Sequence, residues 1–292
     1  LGLGVAVLGL GWWLWTPDKP RAALEALHAP APSQFVTIDR VRFHLRDTGP
    51  RDAPALVLLH GFGSSLHTWE DWARMMEAER RVIRLDLPGF ALTDPDPSGD
   101  YSDERFITGL LDHLGLAQVD LLGSSMGGRL AWRFAAARPE RVRRLVLMAP
   151  DGFASAGFTY GKPAGVPLMM RALPYTLPMP LLRGGLEPAY ANKAVLTDTV
   201  AERYRDMMLA PGVRHAILDR MRRHVLLPPE PMLRAIRAPV LLLWGEQDRM
   251  VPAPHAADYA RELPDSRSVI LPGLVHVPME EDPVRSLAPV LA

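Results

Sequence analysis

Short, uninterrupted apolar runs recur along this chain, and segments with helical spacing separate them. Residues 55–60, 82–86, 119–124, 145–149, 240–245 and 268–271 are such runs. A strand with one wet face alternates apolar and polar residues. A continuous apolar strand is covered on both faces, as in a parallel sheet. Residues 66–79, 103–114, 126–138 and 255–263 carry helical periodicity between the runs, and 35–38 with 41–46 read as an antiparallel opening hairpin. The expectation is an α/β fold with an eight-stranded, mostly parallel sheet flanked by helices.

One stretch interrupts the alternation. Residues 151–238 contain no clear strand, are rich in proline and methionine, and regain helical spacing near 201–208 and 216–225. They read as a helical cap inserted after the sixth strand, over a core formed by residues 34–150 and 239–292. Adaptable methionines suit a lid on an apolar pocket, although most of them would simply pack the cap.

The amino-terminal residues differ in character. Leu1 to Trp15 read LGLGVAVLGLGWWLW, without a charge. Fifteen helical residues rise only about 22 Å against a hydrocarbon core of roughly 30 Å. Tryptophans gathered at one end suit a membrane–water interface. A membrane anchor, a cleaved export signal and an apolar helix packed on its own domain are the three readings. The first two would put the protein at the inner membrane or in the periplasm of a bacterium, and the third leaves the cytoplasm open. Residues 16–33 read as a linker carrying a short helix at 21–28.

Lys and Arg number 33, as do Asp and Glu, so no basic footprint points to nucleic acid. The absence of cysteine removes disulfides, thiolate catalysis and cysteine-ligated zinc. No His/Asp/Glu spacing suggests a metal site, and no cofactor is expected.

The chemistry begins at Gly123-Ser124-Ser125-Met126-Gly127, between an apolar strand and an amphipathic segment. A serine in G-x-S-x-G at such a turn is held in a sparsely populated backbone region with its hydroxyl exposed. Acyl transfer also needs a base, an acid to orient it, and donors for the oxyanion. Asp248 follows the apolar run 240–245, and His276 lies in the loop after the last strand. Ser125, Asp248 and His276 thus occur in the order nucleophile, acid, base. The oxyanion donors are expected to be the backbone amides of Met126 and Phe62. His60, Gly61, Gly63, Gly123 and Gly127 would support the two loops, His60 as a brace. Asp151 and Glu246 are weaker candidates for the acid, and His255 is a second choice for the base.

HGFG at 60–63, DLPGF at 86–90, GSSMGG at 123–128, WGEQDRMVP at 244–252 and the His276 loop together resemble the α/β-hydrolase superfamily. More narrowly they resemble capped bacterial carboxylesterases and lipases of family V, over roughly residues 35–292. The resemblance implies a Ser125–Asp248–His276 triad cleaving carboxylic esters of short- to medium-chain acids through an acyl-enzyme, without a cofactor. Two positions depart from it. Ala91-Leu92-Thr93 and Val275 stand where relatives usually carry glycine and serine, and glycine. The main alternative is a carbon–carbon bond hydrolase of aromatic ring-cleavage products. Those enzymes also use serine, but usually have a glycine-richer oxyanion loop and a tryptophan after the histidine, where this chain has Ser64-Ser65 and Val277. Lactonase or perhydrolase activity and a ligand-binding protein without turnover are further alternatives.

Overall fold

A computed structural model describes residues 15–99, 103–155, 159–163 and 165–292. Eight strands form one sheet: β1 (Ser33–Ile38), β2 (Val41–Thr48), β3 (Ala55–Leu59), β4 (Arg81–Leu85), β5 (Val119–Ser124), β6 (Val142–Met148), β7 (Val240–Gly245) and β8 (Ser266–Leu271). Their spatial order is β1-β2-β4-β3-β5-β6-β7-β8. The β1–β2 and β2–β4 pairings are antiparallel, and all others are parallel.

The continuous apolar runs have the expected cause. Alternate residues of one strand enter two different cores. Val57 and Leu59 of β3, Leu121 of β5 and Leu242 of β7 pack on one face, while Leu56, Leu58, Leu122 and Leu243 pack on the other. Every one of these side chains is buried, so neither face shows a polar alternate. β6 begins earlier than its apolar run suggests because Arg143 is paired with Asp120 of β5 at 2.7 and 2.9 Å.

The helices are α1 (Arg21–His28), α2 (Glu70–Met76), α3 (Asp103–His113), α4 (Met126–Ala137), α5 (Met179–Leu186), α6 (Asp198–Met208), α7 (Val213–Arg223), α8 (Glu230–Leu233), α9 (His255–Glu262), α10 (Pro278–Glu281) and α11 (Pro283–Leu291). The single helix expected at 66–79 is instead a 3₁₀ turn, Leu66–Trp69, leading into α2. The Leu66 N–H is drawn out to Asp86 Oδ1 at 2.7 Å, which tightens the entry. Between β6 and β7 the described residues form short helices, α5 to α8, joined by 3₁₀ turns, with one isolated bridge between Pro163 and Val225. Local signals set their ends. The Thr197 side chain accepts from the Val200 N–H to cap α6, and Gly212, at φ 80°, turns the chain into α7.

The stretch 16–33 is packed along its length. Leu24 of α1 is buried in the main core. Lys19 pairs with Asp206 of α6 and Asp18 with Arg214 of α7, while Arg21 pairs with Asp94 and Glu25 with Arg42 of β2. The segment therefore bridges the helical insertion and the sheet. Residues 1–14, where most of the anchor or signal reading falls, lie outside the described residues. Among the described residues no helix is long and apolar enough to cross a membrane.

Candidate active site

Because β3, β5, β7 and β8 run parallel, the loops that follow them open at one edge of the sheet. Phe62, Ser125, Asp248 and His276 all sit in those loops. This is the edge at which open α/β sheets bind ligands.

Ser125 occupies the turn between β5 and α4 with φ 53° and ψ −118°, a left-handed conformation for a residue with a side chain. Backbone bonds fix it: its N–H donates to Met148 O at 2.9 Å, and its carbonyl accepts from the N–H groups of Arg129 and Asp151, each at 3.0 Å. The flanking glycines are required by close approach. A Cβ on Gly123 would lie 2.1 Å from the Gly127 carbonyl oxygen, and one on Gly127 would lie 2.4 Å from that of Leu59. The loop after β3 comes equally close, since a Cβ on Gly61 would lie 3.3 Å from Ser125 Cβ.

Phe62 and Met126 line the same cavity as Ser125. Among the described residues neither amide N–H has a hydrogen-bond acceptor. His60 is fully buried beneath this loop. Its Nε2 accepts the Leu87 N–H at 2.9 Å, so the proton resides on Nδ1, which donates to Gly61 O at 2.7 Å. Burial pushes the His60 pKa below its ordinary value, in keeping with that neutral tautomer. Gly63 has φ 69°, where glycine is at home.

Asp248 and His276 are joined by a 2.7 Å hydrogen bond from Nδ1 to Oδ2, with both side chains buried. The second carboxylate oxygen, Oδ1, accepts from the N–H groups of Met250 and Val251 at 2.9 and 3.0 Å. The carboxylate is therefore fixed, and the imidazole is oriented with Nε2 as its free basic nitrogen. The Ser125 hydroxyl makes no hydrogen bond to His276 in this conformation. Asp151 instead pairs with Arg129 at 2.8 Å on the cavity wall, Glu246 accepts the Gly273 N–H, and His255 contacts Asp258 on α9.

Two glutamates that sequence reasoning missed tie the histidine loop to the helical insertion. Glu280 accepts from the hydroxyls of Thr68, Tyr190 and Tyr204 at 2.5, 2.7 and 2.7 Å. Glu281 accepts from the N–H groups of Val275, Ala191 and Asn192, while the His276 N–H donates to Ala189 O at 3.1 Å. They follow His276 closely, but most of their partners are remote in sequence, so no local pattern marks them. Another missed group lies on the loop side: Asp86 bonds His44 Nδ1 at 2.7 Å and the Leu66 and Leu92 N–H groups. Burial alone would raise the Asp86 pKa; the His44 interactions, with His60 and His67 beyond, outweigh it and hold the carboxyl at about 2.

The Ser125 cavity has a volume of about 490 Å³. Phe62, Phe153, Met221, Leu226 and Met250 supply apolar walls, and Arg129, Arg220 and His224 lie among them. His224 contacts Arg129 at 2.7 Å. Burial, and then the Arg129 charge, lower its pKa to about 4, so at neutral pH the charged groups here are Arg129, paired with Asp151, and Arg220. Among the described residues no three His, Asp or Glu side chains are grouped to hold a metal ion.

The sequence matches the α/β hydrolase fold family over residues 54–283, and the chain belongs to that family. It is a hydrolase. A 2-hydroxy-6-oxononadienedioate/2-hydroxy-6-oxononatrienedioate hydrolase of Comamonas testosteroni is 29% identical, over 87% of this chain and 93% of its own length. A 2-hydroxy-6-oxo-6-phenylhexa-2,4-dienoate hydrolase of Burkholderia cepacia is 30% identical, over 84% of this chain and 90% of its own length. Among solved structures, a bacterial membrane phospholipase A superposes with a TM-score of 0.71 at 26% identity, covering 90% of this chain and 85% of that one. These relatives correct the sequence reading of the reaction. The carboxylic-ester expectation, and the narrower likeness to family V carboxylesterases and lipases, rested on the HGFG, DLPGF, GSSMGG and WGEQDRMVP segments and the His276 loop. Relatives named as hydrolases of 6-oxo-dienoates match nearly the whole chain, and a serine elbow serves them equally. A serine–histidine–aspartate set attacks a carbonyl; it does not specify the leaving group.

Proposed function

We propose that this protein is a carbon–carbon bond hydrolase acting on conjugated oxo acids of the ring-cleavage type, the alternative weighed beside the ester reading. The observation that carries it is the Ser125 cavity, where apolar walls and the Arg129 and Arg220 guanidinium groups suit a flat conjugated chain ending in carboxylate. The two relatives add support, since both of their names specify a 2-hydroxy-6-oxo-dienoate unit.

In this reading the 2-hydroxyl of the substrate ketonises, its proton passing to C5, so that C5 becomes a leaving group conjugated to a carbonyl. Ser125 Oγ adds to the C6 ketone as His276 Nε2 takes its proton, once the hydroxyl has turned to donate to that nitrogen. Asp248 orients the imidazole and stabilises its charged form without itself being protonated. The Met126 and Phe62 amides hold the oxyanion. The C5–C6 bond then breaks. Its electron pair spreads into the 2-oxo-enoate as a dienolate, which takes the proton from His276 to form a 2-hydroxydienoate. Water, deprotonated by the same histidine, releases the acyl group from Ser125. The insertion at 151–238 acts as a cap that excludes bulk water.

Incubation with 2-hydroxy-6-oxo-6-phenylhexa-2,4-dienoate tests the proposal through the loss of its conjugated absorbance. Wild type should bleach the compound, and Ser125→Ala should not. An equal rate from both proteins would rule out Ser125 as the nucleophile.

A further inference from the structure

Ser64 stands in the oxyanion loop, at one of the two positions where this chain is poorer in glycine than carbon–carbon bond hydrolases usually are. Its N–H donates to Gly61 O at 3.3 Å, closing a turn whose central residues are Phe62 and Gly63. Its hydroxyl lies 3.4 Å from that of Tyr204 on α6. Tyr204 gives its own proton to Glu280 Oε1 at 2.7 Å, so Ser64 is the donor of that pair. The turn that presents the Phe62 amide is thus tethered, through one phenol, to a carboxylate on α10, the short helix that closes the His276 loop.

Glu280 gathers two further hydroxyls. Thr68, in the 3₁₀ turn that follows the oxyanion loop, donates to Oε1, and Tyr190 of the insertion donates to Oε2. Tyr190 directly follows Ala189, whose carbonyl accepts the His276 N–H. Ala189 and Tyr190 are buried, and Val277 packs against their cluster. Burial and the Glu280 charge raise the Tyr204 pKa; burial, Tyr204 and the same charge raise that of Tyr190. Both phenols therefore stay protonated and remain donors. A carboxylate only accepts, which suits it to receive several hydroxyls at once. One side chain thus takes a bond from the oxyanion side and two from the insertion, while its own helix is continuous with the base loop.

We propose that Glu280 is a positioning residue, which through Tyr204 and Tyr190 sets the Phe62 amide and the His276 imidazole at their working separation across Ser125. This role rests on the reading that Ser125, His276 and the Phe62 amide form the reacting set, but not on which bond they break. Without the carboxylate each loop keeps its own backbone bonds and loses the link between them.

Labelling of Ser125 by a fluorophosphonate, on the whole chain, tests the role, because that reaction needs both loops and no particular substrate. The rates are compared well below each variant's melting temperature. Tyr204→Phe and Ser64→Ala should each label roughly three- to tenfold more slowly than wild type, and Glu280→Ala roughly ten- to a hundredfold. Adding Tyr204→Phe to Glu280→Ala should slow labelling no further, since both cut one link. Arg143→Ala is the control for lost stability. It breaks the pair with Asp120, at the end of β5 remote from Ser125, and should melt earlier yet label at the wild-type rate. Wild-type labelling by folded Glu280→Ala, with only its melting temperature lowered, overturns the role and leaves a structural clamp. If Glu280→Ala does not fold, wild-type labelling by both Tyr204→Phe and Ser64→Ala overturns it equally. Equal slowing in Arg143→Ala also overturns it, since lost stability would then account for the effect. None of these failures touches the carbon–carbon reading, and failure of every ring-cleavage compound to react would sink only that reading.

Discussion

Gly127→Ala measures how far the oxyanion geometry depends on the close approach of two backbone segments. A Cβ at this position would lie 2.4 Å from Leu59 O and 2.5 Å from His60 O, whereas real Cβ atoms essentially never come within 3.0 Å of such neighbours. The difference, 3.0 − 2.4, requires a shift of about 0.6 Å at the least, scaling from contact distances. Both opposing atoms are backbone, at the end of β3 where the loop carrying Phe62 begins, so no flexible side chain can absorb the movement. The Phe62 and Met126 amides must therefore separate. A misplacement of about 1 Å costs on the order of a hundredfold in rate, and loss of one oxyanion donor about a hundred- to thousandfold. For the smaller shift we expect a fall of roughly ten- to a hundredfold. Overpacking should also cost about 1–3 kcal/mol of stability. The assay is the rate at which a fluorophosphonate labels Ser125, because that reaction needs the nucleophile and the oxyanion hole but no particular substrate. Gly115→Ala is the control. It has φ 66° with nothing within 4 Å of an added Cβ, so it should lose about 1 kcal/mol and label at the wild-type rate. Wild-type labelling by folded Gly127→Ala would refute the reasoning, since the glycine would then not set the donor positions.

Asp248→Asn should reduce labelling and turnover on the order of a thousand- to ten-thousandfold with the fold intact, because the amide favours the wrong imidazole tautomer; steady-state kinetics with a melting curve separates the two effects. Glu280→Gln removes charge from an oxygen pair that receives three hydroxyls, and should cost about 2 kcal/mol in urea unfolding, the size of one hydrogen bond to a charged group. Asp86 has a folded-state pKa of about 2 against an ordinary 3.8. A depressed carboxyl contributes stability that is complete above about 3.8 and is lost as pH falls through about 2, here about 2 kcal/mol. Urea midpoints taken from pH 5 to pH 2 should show that loss in wild type and not in Asp86→Asn. His224 titrates near 4, so His224→Gln should leave the shape of the pH–rate profile at neutral pH unchanged.

The sheet was legible because burial on both faces leaves a direct trace, the apolar runs, and five of the eight strands carry it; the run at 268–271 belongs to β8, an edge strand that is only partly covered. The ends of β6 and β8 were not. Arg143 and Ser266 extend these strands with polar residues that an ion pair and an exposed edge accommodate. At the site, the candidate residues are marked by their place at strand ends, which order along the chain conveys. The residues around them are not marked. No motif in the sequence sets Arg129, Arg220, Glu280 or Glu281 apart from the chain's other charged residues. Their roles depend on partners that only folding brings near. The leaving group was the least legible feature, because one serine elbow serves esters and ketones alike, and the discriminating walls come from the insertion.

The proposed cleavage of a carbon–carbon bond by Ser125 leaves two identifiable products. The direct measurement is product analysis after incubation with 2-hydroxy-6-oxo-6-phenylhexa-2,4-dienoate. Wild type should yield benzoate and 2-hydroxypenta-2,4-dienoate in equal amounts, and Ser125→Ala neither. Unconsumed substrate, from protein whose Ser125 still hydrolyses p-nitrophenyl esters, would contradict that cleavage.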